Sequence, residues 1–153
     1  MVKILTNPFL GRPTSLGSLL TAAGQRLSAE LDQALATAGF PDLRASHAPI
    51  FMAIEPEGSR VTELAHRAKM TKQAVGELIR YLVDRDYLSL TRDPADGRAK
   101  RVQLTDRGWQ AIAVGERVIG EFDRWLAGLI GADRVTELRE VLTTIAETDP
   151  TVR

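Results

Sequence analysis

The 153-residue sequence contains no cysteine, and that absence excludes a disulfide framework, a thiolate-held zinc and any thiol redox sensor. Histidine occurs twice, at His47 and His66, which do not form a cluster at metal-ligand spacing, so no metal is expected. Also missing are a glycine-rich phosphate loop and a serine in a nucleophile elbow, which leaves no basis for an enzyme or a cofactor. No apolar run reaches the roughly 18 residues a membrane span needs, and no signal-peptide pattern is present. A soluble cytoplasmic protein with no membrane partner is the expectation. Basic and acidic residues cancel to a formal net charge of zero, so nothing global attracts a polyanion.

What is present is a chain of 44% hydrophobic residues, enough to bury one core with appended helices. Its charge is uneven. Between Ser59 and Arg107 eleven cations stand against seven acids, a net of +4, and the remainder carries −4. A surface for a polyanion therefore belongs in the middle of the chain. Residues 1–13, with Pro8, Gly11 and Pro13, read as an extended arm. From Ser15 onward Leu16, Leu19, Leu20, Ala23, Leu27, Leu31 and Leu35 recur at helical steps, stopping near Gly39 and Pro41. A short second helix is expected from His47 to Ile54, with Ser46 as N-cap and Pro49 in the first turn, where its missing N–H is harmless.

Two closely spaced helices follow. Thr62 is expected to cap the first, which buries Leu64, Ala65 and Ala68. After only Lys69 and Met70, Thr71 caps the second. Val75, Leu78, Ile79, Leu82 and Val83 form an apolar stripe along it, which puts Gln73, Glu77, Arg80 and Asp84 on the opposite face. Next, Leu88 and Leu90, then Val102 and Leu104, alternate with polar residues. They predict two antiparallel strands joined by a cationic loop that bends at Pro94 and Asp96-Gly97. Thr105 then caps a long helix to about Ile130, and after Gly131 a last helix carries Val135, Leu138, Val141, Leu142 and Ile145. Trp109 and Trp125, at helical spacing, are expected in the core.

Helix, tight turn, helix, strand, cationic loop, strand is the order of a winged helix-turn-helix. The expected fold is mainly α (α+β), with a two-stranded hairpin wing. In such a unit the second helix enters the DNA major groove and its N-terminal residues meet the base edges. Thr71 and Lys72 are placed to position a phosphate at the helix N-terminus, and Gln73 to read, with Gly76, Glu77 and Arg80 along the same face. Glu77 fits acceptance from cytosine N4 and fits repulsion of a phosphate equally well. Arg92, Arg98, Lys100 and Arg101 lie on the wing within reach of a DNA backbone.

The run "SRVTELAHRAKMTKQAVGELIRYLVDRDYLSLTRDPADGRAKRVQLTDRG", Ser59 to Gly108, resembles the winged-helix core of the MarR family of bacterial transcription regulators. Its most specific element is "DGRAKRVQLT", an Asp-x-Arg followed by Leu-Thr six residues after the Arg: Asp96, Arg98, Leu104 and Thr105. The resemblance implies a homodimer held by the first and last helices, a palindromic operator in double-stranded DNA, and a small-molecule effector or stress signal that releases it. It also implies that Arg98 enters the minor groove with Asp96 bracing it. Where many members carry Ser or Thr followed by a basic residue, this chain has Gly76 and Glu77. The redox and zinc-sensing branches of the family depend on Cys and His clusters that are absent here.

The corresponding division is an arm at 1–13, a dimerisation helix at 14–40, the winged unit at 41–106 and dimerisation helices at 107–153. The expected function is sequence-specific DNA binding, as a repressor. The competing function is a winged helix that binds protein partners without specific DNA recognition, for which Gly76, Glu77 and the neutral net charge speak. For an effector, His47, Phe51 and Trp109 are the candidate pocket residues; a packed or exposed histidine and core tryptophans are the plainer readings.

Overall fold

The computed structural model describes residues 11–149, so most of the arm at 1–13 lies outside the described residues. Helix α1 spans Leu16–Thr37 and α2 spans Ala48–Ala53; strand β1 is Ser59–Arg60; α3 is Val61–Arg67 and α4 Lys72–Val83; strands β2, Leu88–Arg92, and β3, Lys100–Leu104, precede α5, Asp106–Ile130, and α6, Ala132–Glu147. The fold is mainly helical with one small sheet.

The helix ends follow local chemistry. Ser15 accepts from the Ser18 N–H at 3.1 Å to open α1, Thr71 from Ala74 at 3.2 Å to open α4, and Thr105 from Gly108 at 3.1 Å to open α5. Each is a hydroxyl satisfying an otherwise orphaned helix N–H. Two expected caps are corrected. The residue before α3 is Arg60, not Thr62: Thr62 lies inside the first turn, and the Glu63 carboxylate accepts from the Arg60 N–H at 2.8 Å. Ser46 is not a cap either, because Ala45–His47 form a 3-10 turn ahead of α2. There the Ala45 N–H donates to the Asp32 carboxylate of α1 at 2.6 Å, so a side chain from another helix takes the place of a local cap.

The tight turn between α3 and α4 is a Schellman arrangement. Met70 N–H donates to the Ala65 carbonyl at 3.0 Å and Lys69 N–H to His66 at 3.2 Å. Lys69 takes the left-handed conformation (φ 52°) that glycine usually fills. The helix α4 then lays Val75, Ile79 and Leu82 against Ile50, Leu64, Tyr87 and Leu88 in one core. Each such fully buried large side chain contributes roughly 1.5–3 kcal/mol relative to exposure.

The sheet has three strands rather than the two expected. Strands β2 and β3 pair with Leu88 opposite Leu104 and Leu90 opposite Val102, and β1 adds Ser59 opposite Val102 on the other edge of β3. A two-residue strand has no alternation to detect, which is why periodicity passes over it. The expectation for the tryptophans is also corrected: Trp109 is 47% and Trp125 41% exposed. Trp109 lies on the surface of α5, and Trp125 lies at its edge toward α1, with the Arg26 guanidinium over its ring at 4.1 Å. Helix α6 has no buried residue at all.

Candidate nucleic-acid interface

The apolar stripe of α4 fixes which way its other face looks. With Val75, Ile79 and Leu82 buried, Thr71, Lys72, Gln73, Glu77 and Arg80 are all exposed, and Gly76 lies between them, half-buried. A Cβ at Gly76 would meet nothing within 4 Å. The side chains of Lys72 and Arg80 make no hydrogen bond or ion pair among the described residues, and Gln73 donates its Nε2 to Glu77 Oε1 at 3.3 Å. The N-terminal turn of α4 is thus free to receive a ligand.

The wing follows α4 in the chain. Arg92, Asp96, Arg98 and Lys100 are exposed, with Arg92 opposite Lys100 in the register. The Asp96 carboxylate accepts from the Arg98 backbone N–H at 3.1 Å, so Asp96 fixes the chain that carries Arg98. The guanidinium of Arg98 is left without a partner among the described residues, as are the side chains of Arg92 and Lys100. Arg101 differs. Its Nη1 donates to the Glu57 carbonyl at 3.2 Å, and its Nε lies 4.0 Å from Asp93 without a hydrogen-bond partner. It is placed at the base of the wing rather than at its tip.

That base holds two residues the sequence reading missed. Asp93 is 2% exposed, and its carboxylate accepts from Arg60 Nε at 2.5 Å and from the Ala95 N–H at 2.8 Å. Arg60 therefore ties the start of α3 to the root of the wing, 33 residues on. The hydrogen bond from Arg60, helped by the Ala95 N–H, pulls the Asp93 carboxyl down to about 2. A depressed carboxylate stabilises the fold above its unfolded pKa of about 3.9 and loses that contribution as pH falls toward about 2. Asp93→Asn is accordingly expected to melt below the wild type at neutral pH. The difference between the two melting temperatures should close as the pH is lowered through that window; a gap independent of pH would refute the coupling.

The head and the long helices meet through a second polar group. Tyr87 OH donates to Asp42 Oδ1 at 2.6 Å, Tyr81 OH to the Asp42 carbonyl at 2.6 Å, and Arg107 Nη2 to Tyr87 OH at 3.0 Å. Burial and the bond to Asp42 push the Tyr87 hydroxyl up to about 12. Arg85 lies over the Tyr81 ring at 3.6 Å. His47 stacks on the Tyr81 ring, at 4.9 Å between centroids, and its Nδ1 accepts from the Arg44 N–H at 3.0 Å. Burial lowers its pKa.

A cleft of about 260 Å³ opens between α1, α2 and α5. Leu31, Leu35, Phe51, Ile112 and Ile119 make it apolar, and Arg44 and Glu116 are its charged groups. Of the three candidate pocket residues, Phe51 lines this cleft. His47 and Trp109 do not; the former is a packed histidine and the latter is on an outer face.

A tightly turned helix pair whose second helix shows a polar face, followed by an antiparallel wing, defines the protein as a winged helix-turn-helix. Residues 41–99 match the model of the MarR family. Solved structures share the fold. The repressor CouR, bound to a 23-mer DNA duplex, is 24% identical with a TM-score of 0.72 over 87% of this chain and 93% of its own. CouR from Rhodococcus jostii RHA1 bound to p-coumaroyl-CoA is 24% identical with a TM-score of 0.70 over 88% and 94%. MepR from S. aureus, in a complex with DNA, is 18% identical with a TM-score of 0.73 over 88% and 98%. No curated protein sequence matches significantly.

Proposed function

We propose that this protein is a MarR-family, sequence-specific DNA-binding transcription regulator that acts as a repressor on a palindromic operator. The observation that carries the proposal is the exposure, within one winged unit, of the α4 N-terminus and of three wing cations, Arg92, Arg98 and Lys100, whose side chains have no hydrogen-bond or ion-pair partner among the described residues. Unpaired cations at this density fit a polyanion, and an exposed helix N-terminus with Lys72 fits a phosphate. CouR and MepR, with the same fold, were solved on DNA.

The working unit is a homodimer. Leu16, Leu19 and Leu20 of α1, Leu129 of α5 and Leu138, Val141, Leu142 and Ile145 of α6 are all exposed large hydrophobics in the protomer. A surface of that kind marks an interface rather than a solvated face. Pairing about a two-fold axis would set two recognition helices roughly 34–36 Å apart, one turn of DNA. The effector site is the cleft at Phe51, which sits at the joint between the long helices and the head. A small molecule there would change the spacing of the two heads and release the operator. CouR was solved with p-coumaroyl-CoA bound.

With three wing cations per protomer on phosphates, a dimer should show a log–log salt slope of about −5. The test is a gel-shift titration against the DNA upstream of the protein's own coding sequence, repeated across salt concentrations. A salt-sensitive shift that prefers this DNA over a scrambled duplex is expected. Binding that ignores sequence, or none, would remove the proposal and favour a protein-binding role.

A further inference from the structure

The last turn of α4 is held by the segment that joins α1 to α2. Tyr81 OH donates to the Asp42 carbonyl at 2.6 Å, and the Tyr81 ring lies nearly flat on the imidazole of His47, with 4.9 Å between centroids and 19° between planes. His47 in turn depends on a lone pair. Its Nδ1 accepts from the Arg44 N–H at 3.0 Å, and its own backbone N–H donates back to the Arg44 carbonyl at 2.9 Å, closing the 3-10 turn at Ala45–His47. Only a neutral imidazole with its proton on Nε2 can accept there.

A second proton would turn Nδ1 into a donor facing another donor, in a residue only 8% exposed. The charged groups around the ring are Asp32 of α1, Asp42 and Arg44 of the joining segment, and Arg85 just beyond α4. Both carboxylates are already engaged. Asp32 accepts from the Ala45 N–H at 2.6 Å; Asp42 accepts from Tyr87 OH at 2.6 Å and lies 3.6 Å from Arg85. Burial first, and Arg44 next, hold the His47 pKa below its ordinary value. The fold therefore favours the neutral ring, and the stability this gives is full above a pH of about 6.5 and declines as the pH falls below it.

We propose that His47 is a positioning residue for α4 that works as a proton-operated latch, closed while its imidazole accepts from Arg44 and open once Nδ1 carries a proton, and that opening it weakens DNA binding. The inference rests on the reading that α4 enters the major groove. Loss of the acceptor undoes the turn that presents the ring to Tyr81, so the last turn of α4 gives up its stacked partner and the firm seat of its hydroxyl. Acid by itself acts in the opposite direction, because a more positive chain attracts a polyanion more strongly. A loss of affinity on acidification is thus the signature of the latch.

The test measures binding of the full chain to the DNA upstream of its own coding sequence from about pH 7.5 to about 5.5 at fixed salt, a range that spans the ordinary histidine pKa. Circular dichroism at each pH keeps unfolding out of the comparison. The wild type is expected to weaken by roughly tenfold, the worth of one hydrogen bond. The chain has two histidines, and His66 is exposed on α3, so His66→Gln should weaken in parallel with the wild type. His47→Asn sets an acceptor near the Nδ1 position that takes no proton in this range; its affinity should hold or rise as the pH falls. A nuclear magnetic resonance titration of the wild type reads the latch without that variant: the His47 ring and the Arg44 amide should shift together below a pH of about 6.5, and the affinity should start to fall at the midpoint of that shift. Wild-type affinity that holds or rises on acidification, a His47→Asn that weakens as the wild type does, or an Arg44 amide that ignores the His47 titration overturns the latch and leaves DNA binding standing. No binding to this DNA at any pH overturns both.

Discussion

Replacing Arg98 with alanine is expected to weaken operator binding by roughly 10- to 100-fold and to make the log–log salt slope of a dimer shallower by about 2, one charge per protomer. The expectation follows from how Arg98 is held. Its backbone N–H is fixed by Asp96 while its guanidinium is left without a partner among the described residues. Removing it should therefore cost DNA binding and leave the fold unchanged. Gel-shift titrations at several salt concentrations, beside a melting curve, separate the two. Affinity within about twofold of the wild type would sink the wing assignment, since a single good contact to DNA is worth more than that.

The largest expected effect on the fold itself comes from Gly108→Ala. A Cβ at Gly108 would stand 2.3 Å from the Tyr87 carbonyl oxygen and 2.9 Å from Leu104 Cδ2. The carbonyl is backbone and already accepts from the Thr105 N–H at 3.2 Å, so it cannot move aside. Helix propensity alone would reward alanine by about 1 kcal/mol; overpacking of this severity should reverse the sign and destabilise by about 3 kcal/mol. Gly76→Ala is the control, because its Cβ has open space and should stabilise by about 0.5–1 kcal/mol. Chemical denaturation of the two variants measures both. Opposite signs confirm that Gly108 is the close approach of α5 to the head; a stable Gly108→Ala would show that the contact yields.

How much of this was legible in the sequence depends on how local the determining chemistry is. Thr71 and Thr105 were readable as caps because a hydroxyl three residues before a helix N–H is a local relation. The outward face of α4 was readable because the apolar stripe fixes it. The cap at Arg60 was missed by weighing Thr62 on residue type alone; the available signal was Glu63, an acid at the third helical position that reaches back to the residue three before it. Strand β1 left no signal, since Ser59 and Arg60 become a strand only when β3 arrives beside them.

The Arg60–Asp93 bond is of the same non-local kind. In the sequence Asp93 is one of several acids in a charged loop, and only its place before Pro94 hints at a turn anchored by its side chain. Burial and a partner 33 residues away make it the root of the wing. Of the candidate pocket residues, His47 lies away from the cleft for a related reason. His47 and Phe51 are four residues apart, but the 3-10 turn at Ala45–His47 directs His47 onto Tyr81 and leaves Phe51 at the cleft.

The cleft has a mechanical side. Walls that face an opening of about 260 Å³ lack the dispersion contacts that close packing would supply, and they do so where the long helices join the head. The opening leaves room at this joint that the close-packed core behind α4 does not have. In the proposed DNA-bound dimer, that room would let the head settle onto DNA whose groove spacing varies, and a molecule wedged into the opening would remove it.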